Sequence, residues 1–179
     1  RRADMRGARL HRTNLTDAIL SAADMRAGRL VVPDGRGGLT AQGGHSGATE
    51  LADAVMKNAE LRGAKLTGTE ILRTDMSDAK LQDAQLNRTD MSGAILTGAV
   101  LEGADLTDAN LSDAALEGAI LSRAVLSGTV LTGANMVCAV LDFVDLSEVD
   151  ISDAEIARKL DQIGREITEI LRDHQRWLE

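Results

Sequence analysis

Residues 104–123, written in fives, read ADLTD ANLSD AALEG AILSR. Each five holds a large aliphatic residue at its centre and a small one two places earlier. Centres recur at every fifth residue from Met5 to Leu30, then in a new phase from Leu51 to Ile151. All 27 are Leu, Met or Ile, and every methionine of the chain is among them. The small position is Ala or Thr except at Gly28, Val144 and Val149. A period of five suits neither regular element. Residues five apart on an α-helix are rotated by about 140°, which smears the leucines around the cylinder. On one straight strand an odd period sends successive leucines to opposite faces. The chain must therefore turn once per unit, with both the large and the small side chain pointing inward, and such coils bury their centres against the coils above and below.

The units resemble the pentapeptide repeat family, whose pattern is A(D/N)LXX, over residues 1–30 and 49–151. The resemblance implies an all-β solenoid: a right-handed quadrilateral β-helix with four units per coil. Nearly seven coils then form a tower roughly 30 Å tall at ~4.8 Å per layer. Composition agrees. Phe143 and Trp177 are the only aromatic residues among 179, so stacked Leu and Ala must supply the core that aromatic rings supply elsewhere. The same scarcity excludes base-stacking platforms. One cysteine, Cys138, and three histidines leave no internal disulfide and little for a metal. A net charge of −8 argues against direct nucleic-acid binding. No apolar run approaches the ~18 residues of a membrane span, and no signal-peptide pattern opens the chain. The first residue is Arg1, so a trimmed chain or a piece of a longer one is expected. The expected compartment is the cytoplasm.

Two departures interrupt the repeat. Residues 33–48 contain six glycines and the only proline, Pro33, and read as a flexible excursion from the coil. They lack a Gly-Lys-Ser/Thr ending, which argues against a phosphate cradle. Arg36, Leu39, Gln42 and His45 are its candidate partner contacts. From residue 152 the pattern changes again. Ser152 and Glu155 form a capping box, and Ile156, Leu160, Ile163, Ile167, Ile170, His174 and Trp177 follow in alternating steps of four and three, with Leu171 widening the seam. The expectation is an amphipathic helix over 152–179 that pairs two copies of the chain; the alternative is a helix folded back over the last coil.

Outward residues twenty apart stack. Val100, Ile120 and Val140 form one apolar column, with Ile95, Val125 and Val130 in neighbouring columns, and contiguous apolar surface marks contact. Charge is uneven. Residues 1–50 carry net +3, whereas residues 89–151 hold ten acidic groups and one basic group, Arg123. The flat faces offer no cleft to perturb a carboxyl, so neither catalysis nor a cofactor is expected. The functional expectation is a non-enzymatic scaffold that binds a protein partner, as a homodimer. The alternative is a DNA-mimicking modulator of DNA gyrase, which the quinolone-resistance members of the family resemble in layout. Those members use Phe at many centres; no centre here is Phe.

Overall fold

The computed structural model describes residues 2–33, 39–47 and 49–156, and in it each five becomes a bridging residue, a buried centre and a two-residue turn. Parallel bridges join residues twenty apart, as in Asp90–Asn110, Ile95–Ala115, Val100–Ile120 and Asp105–Val125. Four consecutive units therefore make the four faces of one coil. A rung consists of two hydrogen bonds: Leu111 N–H donates to Val130 O (2.7 Å), and Val130 N–H donates to Ala109 O (3.0 Å). Both inward positions are sealed, with Leu111 0% and Ala109 1% exposed. Threonine replaces alanine in this dry interior because its hydroxyl finds a carbonyl. Thr74 Oγ1 donates to Leu51 O (2.6 Å) and Thr129 Oγ1 to Leu106 O (2.8 Å), which removes the cost of an unsatisfied buried group.

The turn explains the outward positions. The second residue after the centre is left-handed in nearly every unit, with φ between 50° and 69°, where Gly, Asn and Asp are favoured. The Asp or Asn before the centre accepts from the residue after it. Asp75 Oδ1, for example, takes both Ser77 N–H (3.2 Å) and Ser77 Oγ (2.6 Å). This local bond holds the turn and accounts for the pairing of Asp/Asn with Ser/Thr across each centre.

The first interruption begins earlier than expected and is not formless. Strands β1 (Gly28–Pro33) and β2 (Leu39–Gly47) form an antiparallel pair, from Gly28 opposite Gly47 to Pro33 opposite Leu39, with an irregularity between Arg29 and Val31. Arg9 pairs with Glu50, 41 residues on instead of 20, so 21 residues are inserted. Leu30 is thus not a centre of the coil; Leu51 takes that place. Gly28, the exception among the small positions, marks the exit. A Cβ there would lie 2.5 Å from Arg6 O and 2.6 Å from Arg6 C. Thr49 re-enters the coil, accepting from Gly7 N–H through Oγ1 (3.0 Å).

The coil runs further toward the C-terminus than expected. Ser152 and Glu155 do not start a helix. Gly133 N–H donates to Ser152 O (2.9 Å), Met136 N–H donates to Glu155 O (2.7 Å), and Asp153 takes the left-handed turn position. Ala154 and Ile156 supply a small and a large residue in the correct frame, so the ladder outcompetes the cap and the coil runs to Ile156. Residues 157–179 lie outside the described residues. In the last coil, Val144 and Val149 occupy the small positions above Ala124 and Thr129. Between them Gly128 N–H donates to Glu148 O (3.2 Å), one residue beyond its repeat partner, and no bridge joins Val125 to Asp145.

Two outcomes follow from this packing. Leu111→Ala should lower the unfolding free energy by about 2–5 kcal/mol through the cavity it leaves, and Ala109→Phe should also destabilise, because a closed coil cannot widen for the ring; chemical denaturation measures both. Deleting residues 28–48 joins Ala27 to Thr49 in frame and should leave a soluble β-helix by circular dichroism. Aggregation of that deletion would show that β1 and β2 are needed for folding.

Candidate interaction surface

Four faces point in four directions, and this divides the expected apolar cluster. Val100, Ile120 and Val140 stack on one face through consecutive bridges. Ile95 stacks on another, between Asp75 and Ala115; Val125 caps the Asp105 face, and Val130 lies between Asn110 and Asp150 on a fourth. The six residues are therefore not one patch: residues five or ten apart turn onto different faces. What remains is a stripe of three, with Ile120 36% and Val140 39% exposed. On the same face the lower coils carry Glu60 and Lys80, which pair with each other.

The stripe ends beside a residue that sequence reasoning passed over. Phe143 is 86% exposed and left-handed, with φ of 61°. A bulky residue in that conformation costs roughly 1–2 kcal/mol, and its ring is not repaid by burial. Arg123, one coil below, covers it in part, with the guanidinium carbon 5.9 Å from the ring centre. The signal was present in the sequence: the only Phe stands at a turn position that Gly and Asp usually fill. Glu102, 3.9 Å from Arg123, and the exposed Asp142 complete the edge of the stripe.

The other expected contacts are less defined. Leu39, Gln42 and His45 fall on β2, whereas Arg36 lies outside the described residues. Ile156 belongs to the coil, 40% exposed; Leu160, Ile163, Ile167, Ile170, Leu171 and Trp177 lie outside the described residues. Cys138 is exposed at a turn.

Several charges in the lower coils are paired, some of them between stacked coils. Arg73 meets Asp53 at 2.8 Å and Lys57 meets Asp75 at 3.1 Å. On the face that carries Asp105 and Val125, Asp24 receives Arg26 at 2.7 Å, and the side-chain hydrogen bond from Arg26 lowers its carboxyl to about 2. Asp53 is lowered by the hydrogen bond from Arg73, Asp145 by the backbone N–H of Ser147, and Asp150 by the hydroxyl of Ser152. A carboxyl held below its usual range is an acceptor at neutral pH, not a proton donor. Among the described residues, no group of three or more His, Cys, Asp or Glu is placed to hold a metal ion.

A solenoid of stacked fives with single-residue rungs defines a class, the pentapeptide β-helix. The sequence matches the family described as pentapeptide repeats, in eight copies covering residues 1–30, 48–93, 84–123 and 121–153. The chain belongs to the pentapeptide repeat family, whose fold is a right-handed β-helix. No curated protein sequence matches it significantly. Similar solved structures include a pentapeptide repeat protein from the Arabidopsis thaliana thylakoid lumen, 27% identical, covering 60% of this chain and 74% of that one, with a TM-score of 0.35. Another is the pentapeptide repeat protein Rfr23 from the cyanobacterium Cyanothece 51142, 26% identical, covering 82% and 84%, with a TM-score of 0.32. A third is full-length QnrB1, a plasmid-mediated fluoroquinolone resistance protein, 14% identical, covering 94% and 97%, with a TM-score of 0.28.

Because the Asp24 carboxyl is depressed, its contribution to stability is present above its ordinary value of 3.8 and is lost as pH falls toward about 2. Arg26→Ala should return the Asp24 carboxyl toward 3.8 in an NMR titration. The loss of melting temperature between neutral and strongly acid pH should then be smaller than in the parent. An unmoved Asp24 titration would show that Arg26 does not hold the group.

Proposed function

We propose that this protein is a non-enzymatic scaffold, a rigid β-helix of nearly seven coils that presents the Val100–Ile120–Val140 stripe and Phe143 to a protein partner. One observation carries the reading: an aromatic ring kept in solvent at a strained backbone position, at the end of an apolar stripe. Folding gains only the Arg123 contact from that arrangement, whereas binding gains a preorganised anchor. The proposed setting is the cytoplasm, and no helix among the described residues is long and apolar enough to cross a membrane. Self-association belongs to the same proposal: two copies pair through apolar residues of the segment 157–179, with Ile156 excluded because it sits in the coil.

The alternative, a DNA-mimicking modulator of DNA gyrase, is favoured by the ten acidic groups against one basic group in residues 89–151. The rungs weigh against it. Along the rungs of residues 89–151, acidic residues are interrupted by Val125 and Val130 on two faces and are absent from the Val100–Ile120–Val140 stripe, so the rungs themselves offer no unbroken negative track.

A photoreactive amino acid placed at position 143, in cells of the organism of origin, should yield a protein adduct. The same probe at position 67, on a face away from the stripe, should not. No adduct at 143 would overturn the scaffold reading, and inhibition or protection of gyrase supercoiling by the purified protein would put the alternative in its place. Phe143→Gly should hold or raise the melting temperature, since glycine relieves a positive φ, while abolishing the adduct from a probe at position 140. Sedimentation equilibrium tests self-association: a dimer is expected, and a monomer at all concentrations contradicts it.

A further inference from the structure

The Val100–Ile120–Val140 face combines a spacing, a backbone state and a charge pattern that select one kind of partner. Its rungs are ~4.8 Å apart, so the three side chains span about 10 Å along the solenoid. An α-helix rises ~1.5 Å per residue and sets residues i and i+7 about 10.5 Å apart on one side. Alternate residues of a strand are ~6.7 Å apart, and three of them span about 13 Å, which overshoots the stripe. An extended segment also finds no edge to join. Ile120 N–H donates to Ala99 O (2.9 Å) and Ile120 O accepts from Leu101 N–H (2.7 Å). Val140 is held in the same way by Ala119 O and Leu121 N–H. With these backbone groups engaged, side chains alone are left for recognition, which suits a helix laid on the face and not strand addition.

The two flanks differ in height. Gly98 and Gly118 border the stripe on one side, and a Cβ at Gly118 would meet nothing within 4 Å. Glu102, Arg123 and Phe143 border the other and are exposed. A low shelf beside a wall admits a cylinder along the stripe. Acidic groups lie on both sides, Glu117 by the shelf and Glu102 with Asp142 on the wall. Arg123 meets Glu102 at 3.9 Å, whereas Glu117 and Asp142 have no ion-pair partner among the described residues.

We propose, resting on the scaffold reading above, that this face takes an amphipathic α-helix of a partner protein. Its apolar residues at i, i+3 or i+4, and i+7 lie along Val100, Ile120 and Val140, and Lys or Arg on both flanks of that seam meets Glu117 and Asp142. A second copy of this face fits worse. Stripe against stripe, the antiparallel sense sets Arg123 opposite Arg123 and Glu102 opposite Asp142, and like charges in apposition oppose docking. The parallel sense sets Glu102 and Asp142 opposite Gly98 and Cys138, with no cation to meet them.

The test uses the full chain, observed at its Ile and Val methyl groups by NMR, and synthetic peptides of about 18 residues. One peptide has a Leu seam, Lys flanks and Ala elsewhere; a second has Pro at two central positions off the seam; a third has Glu flanks. The first should move the Ile120 and Val140 methyl signals and saturate, and the others should bind at least about tenfold more weakly. Ile120→Asp adds a negative charge that would strengthen a merely electrostatic attraction, yet it should weaken the first peptide about tenfold or more. If that change loosens the coil, Val140→Ser should weaken binding at an unchanged melting temperature. Still methyl signals, equal binding of the Pro peptide, or binding indifferent to Ile120→Asp in a folded protein would overturn the inference. So would shifts of the same methyl groups with protein concentration alone, since a second copy would then occupy the face. Any of these failures beside a protein adduct from position 143 removes the helix and leaves the scaffold reading; absence of the adduct overturns the scaffold reading itself.

Discussion

A backbone that turns every five residues must bury one large and one small side chain and pass through a left-handed residue before it can turn again. That constraint organises the molecule. It makes the interior a stack of Leu, Met and Ile over Ala, and it admits Thr only where a carbonyl such as Leu51 O or Leu106 O receives its hydroxyl. It also sets the outward composition, because the turn selects Gly, Asp and Asn while the residue before each centre receives the bond that fixes the turn. Stability is distributed along the stack, each coil resting on its neighbours. The ends are consequently the weak points: Met5, Leu10, Leu15 and Leu20 at one end are only partly buried, like Leu141 and Leu146 at the other.

The inward positions were legible from the sequence because size alone defines them. The boundaries were not, since two local signals competed with the frame. Leu30 keeps the five-residue spacing yet lies in β1, because Gly28 passes against Arg6 and leaves the coil there. The substitution of glycine for alanine was the visible clue. Ser152 and Glu155 match a helix cap, but Ala154 and Ile156 match the repeat, and two ladder bonds are worth more than one cap. On the surface, the stacking of Val100, Ile120 and Val140 follows from arithmetic. The separation of Ile95, Val125 and Val130 from them follows from the four directions of the faces. Phe143 was legible too, since the frame places the only Phe at a turn position that Gly and Asp usually fill; its φ of 61° follows from that frame.

Rigidity and flatness shape what such a molecule can do. The carboxyls of Asp24, Asp53 and Asp150 are held below their usual range by Arg26, Arg73 and the Ser152 hydroxyl, and the faces present side chains at fixed intervals. A partner that meets one face meets a regular array with one irregular anchor, Phe143, and one cation beside it, Arg123. On the proposed scaffold reading, recognition would depend on which rungs carry Val or Ile and which carry charge, and changes at rung positions would alter binding while the interior stays the same.

The pairing across the insertion tests the central claim, four units per coil with 21 residues set aside, most directly. In a Cys138→Ser background, cysteines at positions 9 and 50 face each other on adjacent rungs, within the range that a disulfide spans. Oxidation should join Arg9→Cys to Glu50→Cys and leave Arg9→Cys with Arg29→Cys unjoined. A bond between positions 9 and 29, and none between 9 and 50, would mean that the coil runs straight through Leu30, and the account of the register would be wrong.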